Sequence, residues 1–585
     1  MLLLNNVNII PKEYHNKTNS LILISFITSI LETVGVGIIP ALIIFLSDPN
    51  IIITKLNKYN AKDIYINIGY NKFLFILVIF TVFFFFIKNS FLIFFNFYET
   101  NFFRTIKSYY SNLLLKFYFS KKYIYGIKKN PILLSRNIVA ETSNTCFYIR
   151  AKILLFKELL TFLLIFLLLL LASPIVTLIT FSFFLTLILL LKFISKKYLT
   201  KKGLMSQQYR GTKGIFLNSI LNSWKEIFLA KKTEFFINKF NKLNELDLST
   251  SRDIELITKS PRAILEFFII VIVCSSVIIF FLFFNEKKNI ITPTLILFGV
   301  AIARLYPCFS NIYQFINTLS TNISSYKLIE KEIKNININK INFNKGLNIE
   351  KEFTFKKKIE FKNVSFKFER EIIRPLKNIN FTIKKNQTIS IMGASGSGKT
   401  TLLQILLGFL EPTKGSVKID NINLREIKDA WHKKIGYVPQ NIYLLDQDIA
   451  SNIALGISKN QIDYEKLKKI LKIVNLKKYI KNINNVKSKK INYDNSNISG
   501  GEKQRIALAR ALYNNPDILI FDEITSALDK KTSVKIMKEF LKIKGNKTVI
   551  IVTHDVSLSK LCQKNFLLKD GFISLVKNNV LNKNF

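Results

Sequence analysis

The chain has 585 residues, 49% of them hydrophobic, with 52 phenylalanines. That length exceeds one compact domain, and so much aromatic surface excludes a wholly water-soluble protein. Lys and Arg outnumber Asp and Glu by 46; because the lysines are spread along the chain rather than gathered in one patch, the excess argues against a nucleic-acid partner and for a cytoplasmic face beside anionic lipid.

A bilayer-spanning helix needs about 20 apolar residues. Six such runs occur, at 20–46, 72–98, 151–172, 175–194, 263–284 and 292–319. The first 19 residues show no cleavable signal pattern and contain no cysteine, so neither a secretory leader nor an N-terminal cysteine peptidase is expected. Pro174 separates the third and fourth runs with almost no loop, which predicts a tight hairpin. The connections at 47–71, 173–174 and 285–291 are short and weakly charged. Those at 99–150 and 195–262 are long and carry Lys121, Lys122, Lys128, Lys129, Lys196, Lys197, Lys201 and Lys202. The positive-inside bias therefore puts the two long loops and both termini in the cytoplasm. They have few helix breakers and are expected to prolong the membrane helices. The segment 47–71 is expected to be an amphipathic surface helix or a plain surface loop.

Ionisable residues are costly at membrane depth unless they face protein, water or a partner. Arg304 lies about 12 residues into the sixth run, roughly 18 Å along the helix. Lys88 interrupts the second run and Arg262 opens the fifth; the acidic residues at depth are Glu32 and Glu266. Internal pairing, Arg304 with Glu32 for instance, is one reading. The other is a basic patch in a translocation cavity, where a guanidinium suits bidentate contact with phosphate and Pro307 kinks the helix to make room.

From 326 to 352 the sequence turns Lys-, Asn- and Ile-rich, a helix end followed by a linker. Thereafter short β-like runs alternate with helical ones, the pattern of an α/β domain. The expected division is a membrane unit at 1–325, a linker at 326–352 and a soluble domain at 353–585.

GASGSGKTT, at 393–401, follows the apolar strand TISIM and precedes the apolar helix LLQILLGFL, which is the context of a phosphate loop. Gly393, Ala394, Ser395, Gly396, Ser397 and Gly398 bring backbone N–H groups around phosphate oxygens at a helix N-terminus. Lys399 reaches the terminal phosphates, Thr400 offers a hydroxyl to Mg²⁺, and Thr401 completes the motif. ILIFDE, at 518–523, is a buried strand ending in two carboxylates: Asp522 to hold Mg²⁺ and Glu523 to polarise the attacking water. None of Cys146, Cys274, Cys308 and Cys562 has metal-ligand or redox spacing, so reduced packing cysteines are expected.

With ISGGEKQR at 498–505 the chain resembles the ATP-binding-cassette proteins, whose signature is usually LSGGQ; Ile498 and Glu502 depart from it. The resemblance implies that Ser499, Gly500 and Gly501 meet the γ-phosphate of ATP held by the other protomer. It implies that Gln440, in YVPQ, contacts Mg²⁺ and the coupling surface. Asp529 belongs to a D-loop (SALD), His554 is the switch histidine, and Phe368 stands where a tyrosine usually stacks on adenine. Glu502 sets a carboxylate near the γ-phosphate and puts the ATPase rate in question. Six membrane segments followed by one cassette is the order of exporter half-transporters. A single cassette then implies a homodimer with twelve membrane helices and two ATP sites. The expected fold class is a membrane α-helical bundle of that exporter type, followed by an α/β P-loop ATPase domain. Motion is expected to reach the membrane helices near 131–136 and 215–224.

A closer resemblance is to the lipid-linked oligosaccharide flippases of bacterial protein N-glycosylation. It rests on ILET in the first run, PRAILE in the fifth, RLYP in the sixth, and PQNIYL followed by DIASNI in the cassette. It implies that Lys88, Arg262 and Arg304 meet the pyrophosphate of a polyprenyl-linked glycan in the bacterial inner membrane. The competing expectations are an exporter of a peptide, toxin or other lipid, and a regulatory or channel-type cassette protein; the presence of both Glu523 and His554 weighs against the latter.

Overall fold

The structure is a computed structural model. It describes residues 10–47, 70–121, 125–126, 129–172, 174–283, 288–335, 353–368, 375–476, 478–479, 491, 498–523, 534, 537–538, 541 and 545–577. The chain divides into two compact units, one over Met1–Lys121 and Tyr125–Ile341, the other over Asn342–Phe585.

Six long helices make the first unit: α1 His15–Ser47, α2 Tyr70–Ser120, α3 Thr142–Ala172, α4 Pro174–Asn222, α5 Thr233–Phe283 and α6 Lys288–Lys334. Each carries one of the six apolar runs. At about 1.5 Å per residue, the 51 residues of α2 reach roughly two and a half times the thickness of a hydrocarbon core, so the helix must leave the bilayer. Among the described residues, Lys12–Ile43, Tyr70–Ser120 and Pro131–Leu171 are long and apolar enough to cross a membrane. The runs at 175–194, 263–284 and 292–319 fall on α4, α5 and α6, where many side chains lie outside the described residues. So does nearly all of the segment 47–71.

The sharp hairpin is present: α3 stops at Ala172 and Pro174 opens α4, where its missing N–H costs nothing. Helix α6 runs through Pro307 to Lys334. Helix α2 changes character along its length. Its upper half exposes Phe80, Phe83, Phe86 and Phe97, a surface suited to lipid. Its lower half buries Phe102, Ile106, Tyr110, Leu114 and Phe117, three or four residues apart, and the first three of these pack with Cys146, Ile149 and Ile153 of α3 and Tyr326 of α6. Arg150 of α3 forks onto Glu99 of α2 at 2.7 and 3.0 Å. The long α2–α3 connection is interrupted by a short helix, Pro131–Arg136, capped by Asn130 and followed by a π turn at Asn137–Glu141.

The second unit holds two sheets. Strands β1 Lys358–Phe366, β2 Leu376–Lys384, β4 Lys414–Ile419 and β5 Ile422–Asn423 form an antiparallel sheet in the order β2-β1-β4-β5. Strands β3 Thr388–Met392, β6 Ile435–Val438, β7 Ile518–Asp522, β8 Thr548–Val552, β9 Lys564–Lys569 and β10 Phe572–Val576 form the other, in the order β10-β9-β3-β8-β7-β6. Its strands are parallel except for the β9–β10 pair. Strands β3, β7 and β8 are buried throughout, as a parallel sheet covered on both faces requires. Alternation sends Ile518, Ile520, Ile550 and Val552 to one core and Leu519, Phe521, Val549 and Ile551 to the other. Helix α7, Lys399–Leu406, follows β3. Its end is fixed by the buried Trp431, whose indole N–H donates to Leu406 O at 2.8 Å. Helix α8, Gly500–Tyr513, precedes β7.

Candidate functional site

The loop between β3 and α7 is shaped by glycines. Gly393 has φ +157°, and a Cβ there would lie 2.4 Å from Leu568 O; Gly398 has φ +102°, and its Cβ would lie 2.5 Å from Pro375 O. Side chains are excluded by conformation and by space alike, which leaves the backbone N–H groups as the lining. Ala394, Ser395 and Gly396 are exposed on the rim. The Ser397 hydroxyl is buried without a hydrogen-bond partner among the described residues. Lys399 is buried and folds back, its ammonium donating to Gly393 O at 2.8 Å and Ala394 O at 3.0 Å. Thr400 is exposed at the start of α7, whereas Thr401 is buried.

Strand β7 delivers the carboxylates to this lysine. Glu523 holds a left-handed conformation, φ +47°, fixed by its N–H donating to Val552 O at 2.9 Å. Its carboxylate lies 3.8 Å from Lys399 Nζ, 2.6 Å from Gln440 Nε2 and 3.9 Å from His554 Nδ1. A non-glycine residue strained in this way marks a position held by its surroundings. Lys399, Gln440, Glu523 and His554, spread over 155 positions of sequence, thus converge on one carboxylate. Asp522 is buried and accepts from the Tyr437 hydroxyl at 3.2 Å. Burial pushes its carboxyl up; the Tyr437 contact pulls it down and the neighbouring Glu523 pushes it up further, leaving it above the usual aspartate value.

Tyr437 was not among the expected site residues, although alternation along YVPQ puts it and Gln440 close to the strand end. Phe368 is half-buried, edge-on to Phe366 at 4.9 Å, so its ring is already part of the domain core. Asp529 lies outside the described residues.

Ser499 caps α8, accepting from Glu502 N at 3.2 Å, while the Glu502 carboxylate turns back to Ser499 N at 3.1 Å. It also meets the Tyr479 hydroxyl at 3.3 Å and Lys478 at 3.5 Å. Burial pushes the Glu502 carboxyl up, but these partners outweigh it and hold it below the usual glutamate value. The departure from glutamine is thus a helix cap, for which Glu and Gln serve equally. Ser499 and Gly500 remain exposed.

In the helical unit the acidic residue Glu32 faces Lys157 at 3.5 Å. Lys157 lies 3.9 Å from Glu158, which accepts from Asn311 at 3.2 Å. Glu32, Lys157 and Glu158 are all buried. Neither Lys157 nor Glu158 stood out in the sequence, because both sit at the start of an apolar run beside other charged residues. Lys88 is half-buried, its ammonium 4.4 Å from the Phe85 ring centre and its stem beside Gly35. Arg262 lies on α5 and Arg304 on α6; their side chains fall outside the described residues. Glu266 is exposed. The four cysteines are free, and only Cys274 is exposed.

The model of the ABC transporter family matches residues 376–526. An ATP-binding protein of an ABC transporter from Methanocaldococcus jannaschii is 37% identical over 230 residues, covering 36% of this chain and 94% of that protein. The ATP-dependent lipid A-core flippase of Wigglesworthia glossinidia brevipalpis is 37% identical over 216 residues, 37% of each chain. The alpha-hemolysin translocation ATP-binding protein of Escherichia coli O157:H7 is 38% identical over 217 residues, 37% of this chain and 30% of that one. The chain thus spans only about a third of the length of the longer curated relatives it matches. A solved bacterial Atm1-family ABC exporter with ATP bound superposes with a TM-score of 0.75 at 15% identity, covering 98% of this chain and 97% of that one. The fold, helical unit and mixed-sheet unit alike, is therefore that of such an exporter, and the chain belongs to the ABC transporter family.

Proposed function

We propose that this chain is a half-transporter that pairs with a second copy and uses ATP hydrolysis to drive an anionic amphiphile across a membrane. The observation that carries it is the convergence of Lys399, Gln440 and His554 on Glu523, beside a glycine-shaped loop, in a chain whose other unit is a bundle of six long helices.

The loop fits a triphosphate: it offers backbone N–H groups, the Ser397 hydroxyl without a partner, and a lysine satisfied for now by loop carbonyls. ATP would displace Lys399 from Gly393 O and Ala394 O, since its phosphate oxygens are the stronger acceptors. Phe368 would stack on adenine. Thr400, Gln440 and Asp522 would hold Mg²⁺, an ion that takes most of its ligands from phosphate and water. Mg²⁺ would neutralise charge on the phosphates. Glu523, released from Gln440, would accept the proton of the attacking water, and His554 would steady the terminal phosphate. Ser499 and Gly500, exposed at the N-terminus of α8, would complete the site of a partner copy together with Gly501 and Asp529.

For the cargo we propose a polyprenyl-pyrophosphate-linked oligosaccharide, moved from the inner to the outer leaflet of a bacterial inner membrane. Lys88, Arg262 and Arg304, on three helices of the bundle, would meet the pyrophosphate while the polyprenyl tail stays in lipid. Export of a protein toxin is the second reading, since the haemolysin translocator matches the cassette about as well as the lipid A-core flippase does. Reconstitution in liposomes with a fluorescent polyprenyl-pyrophosphate disaccharide separates them. ATP-dependent flipping that is lost when Lys88, Arg262 and Arg304 are made neutral, with basal ATPase retained, supports the lipid reading. Flipping at full rate in that variant removes the three charges from the cargo site.

A further inference from the structure

Two successive carboxylates end β7, and one short stretch of chain gives a hydrogen bond to each. In YVPQ, at 437–440, the Tyr437 hydroxyl donates to Asp522 Oδ2 at 3.2 Å and Gln440 Nε2 donates to Glu523 Oε2 at 2.6 Å. Both donors are neutral. Gln440 has a part in the chemistry proposed above; Tyr437 has none.

The strands explain how the phenol reaches its acceptor. β6 and β7 run parallel, with Tyr437 opposite Ile520. Alternation then puts Tyr437, Ile520 and Asp522 on one face of the sheet. Asp522 lies two residues further along, ~6.6 Å, which is the reach of a tyrosine side chain leaning along its strand. The ring packs against the core that holds Ile518, Ile520 and Ile550, which fixes its direction. The strand is fixed as well. Gly436 lies so close to α8 and β7 that a Cβ there would meet Ala511 O at 2.5 Å and Leu519 Cδ2 at 2.7 Å.

Asp522 is buried, and among the described residues its carboxylate has no other hydrogen bond and no ion pair. Lys399 does not fill that place: it donates to Gly393 O and Ala394 O and sits 3.8 Å from Glu523. A lysine or arginine bonded to Asp522 would neutralise it and compete with a metal ion for its lone pairs. A hydroxyl holds one oxygen in place and leaves the charge. Carboxylates that ligate metals are held by outer contacts of this kind. Were the position needed for packing alone, a phenylalanine ring would fill it without a hydroxyl to satisfy.

We propose that Tyr437 is a positioning residue for Mg²⁺: its hydroxyl takes one oxygen of Asp522 and holds the carboxylate in a single orientation, leaving the other oxygen for the ion. This rests on the nucleotide-site reading above, in which Asp522 is one of the groups that hold Mg²⁺.

The test reads binding before activity. Calorimetry on full-length protein in nanodiscs measures the affinity for AMP-PNP in EDTA and again in excess Mg²⁺. The parent is compared with Tyr437→Phe, which keeps the packed ring and loses only the hydroxyl. The parent is expected to bind more tightly when Mg²⁺ is present. In Tyr437→Phe the affinity in EDTA should stay within about twofold, while the gain conferred by Mg²⁺ falls about tenfold. Steady ATP turnover should split in the same way: the Mg²⁺ concentration for half-maximal rate rises about tenfold, and the rate at saturating Mg²⁺ stays within about twofold. A full Mg²⁺ gain in Tyr437→Phe overturns the proposal. So does an equal loss of affinity with and without the ion, which is the mark of a packing defect. If the parent itself gains nothing from Mg²⁺, the nucleotide-site reading fails first and takes this inference with it.

Discussion

Two buried lysines set the cassette against the helical unit. Lys399, 7% exposed, is satisfied by carbonyls five and six residues before it and by a carboxylate at 3.8 Å. Lys157, 8% exposed, sits 3.5 Å from Glu32, 125 positions away in sequence, and 3.9 Å from Glu158. The first environment is built by a short loop, so the motif that encodes the lysine also encodes its setting. The second exists only once α1 and α3 have packed. A buried charge is affordable in either place, but only the local one announces its partners.

Substitution at the two lysines separates these roles. Lys399→Ala should lower ATP turnover by about a hundredfold or more, measured on purified protein, since it removes the cation facing the developing phosphate charge. Lys157→Met should leave the nucleotide chemistry alone and instead cost about 3–5 kcal/mol of stability in a detergent unfolding series, by stripping the cation from between two buried carboxylates. If Lys157→Met leaves stability unchanged while transport stops, that lysine belongs to the cargo path and the contrast breaks. Gly398→Ala tests the loop itself: with φ +102° and a Cβ 2.5 Å from Pro375 O, it should cost about 1–3 kcal/mol in cassette stability and weaken ATP binding. The smallest effect is expected at Glu502. Its carboxyl is held below the ordinary glutamate value, so its contribution to stability is present above that ordinary value and fades as pH falls through the lowered one. Glu502→Gln should keep the helix cap, keep ATP turnover within about twofold, and flatten that acid limb of the stability curve.

Much of this architecture is legible in the amino-acid order. Apolar runs of membrane length become α1 to α6, and Pro174 marks a hairpin, because both signals are local. The phosphate loop and the carboxylate-ended strand are equally plain. What escaped is non-local or conformational. Glu523's left-handed backbone, the Tyr437–Asp522 contact and the Glu32–Lys157 pair depend on strand and helix neighbours that no motif specifies. The capping-box role of Glu502 was readable as S-x-x-E before an apolar stretch, a local pattern beside its expected nearness to the γ-phosphate. The π turn at Asn137–Glu141 left no trace in composition or periodicity.

The most direct test of the central claim is single-turnover and steady-state ATP hydrolysis by Glu523→Gln beside the parent protein, with ATP binding measured in the same samples. Loss of steady turnover with nucleotide still bound is the outcome expected if Glu523 receives the water's proton. Undiminished turnover would contradict it and return Glu523 to being only the anchor for Gln440.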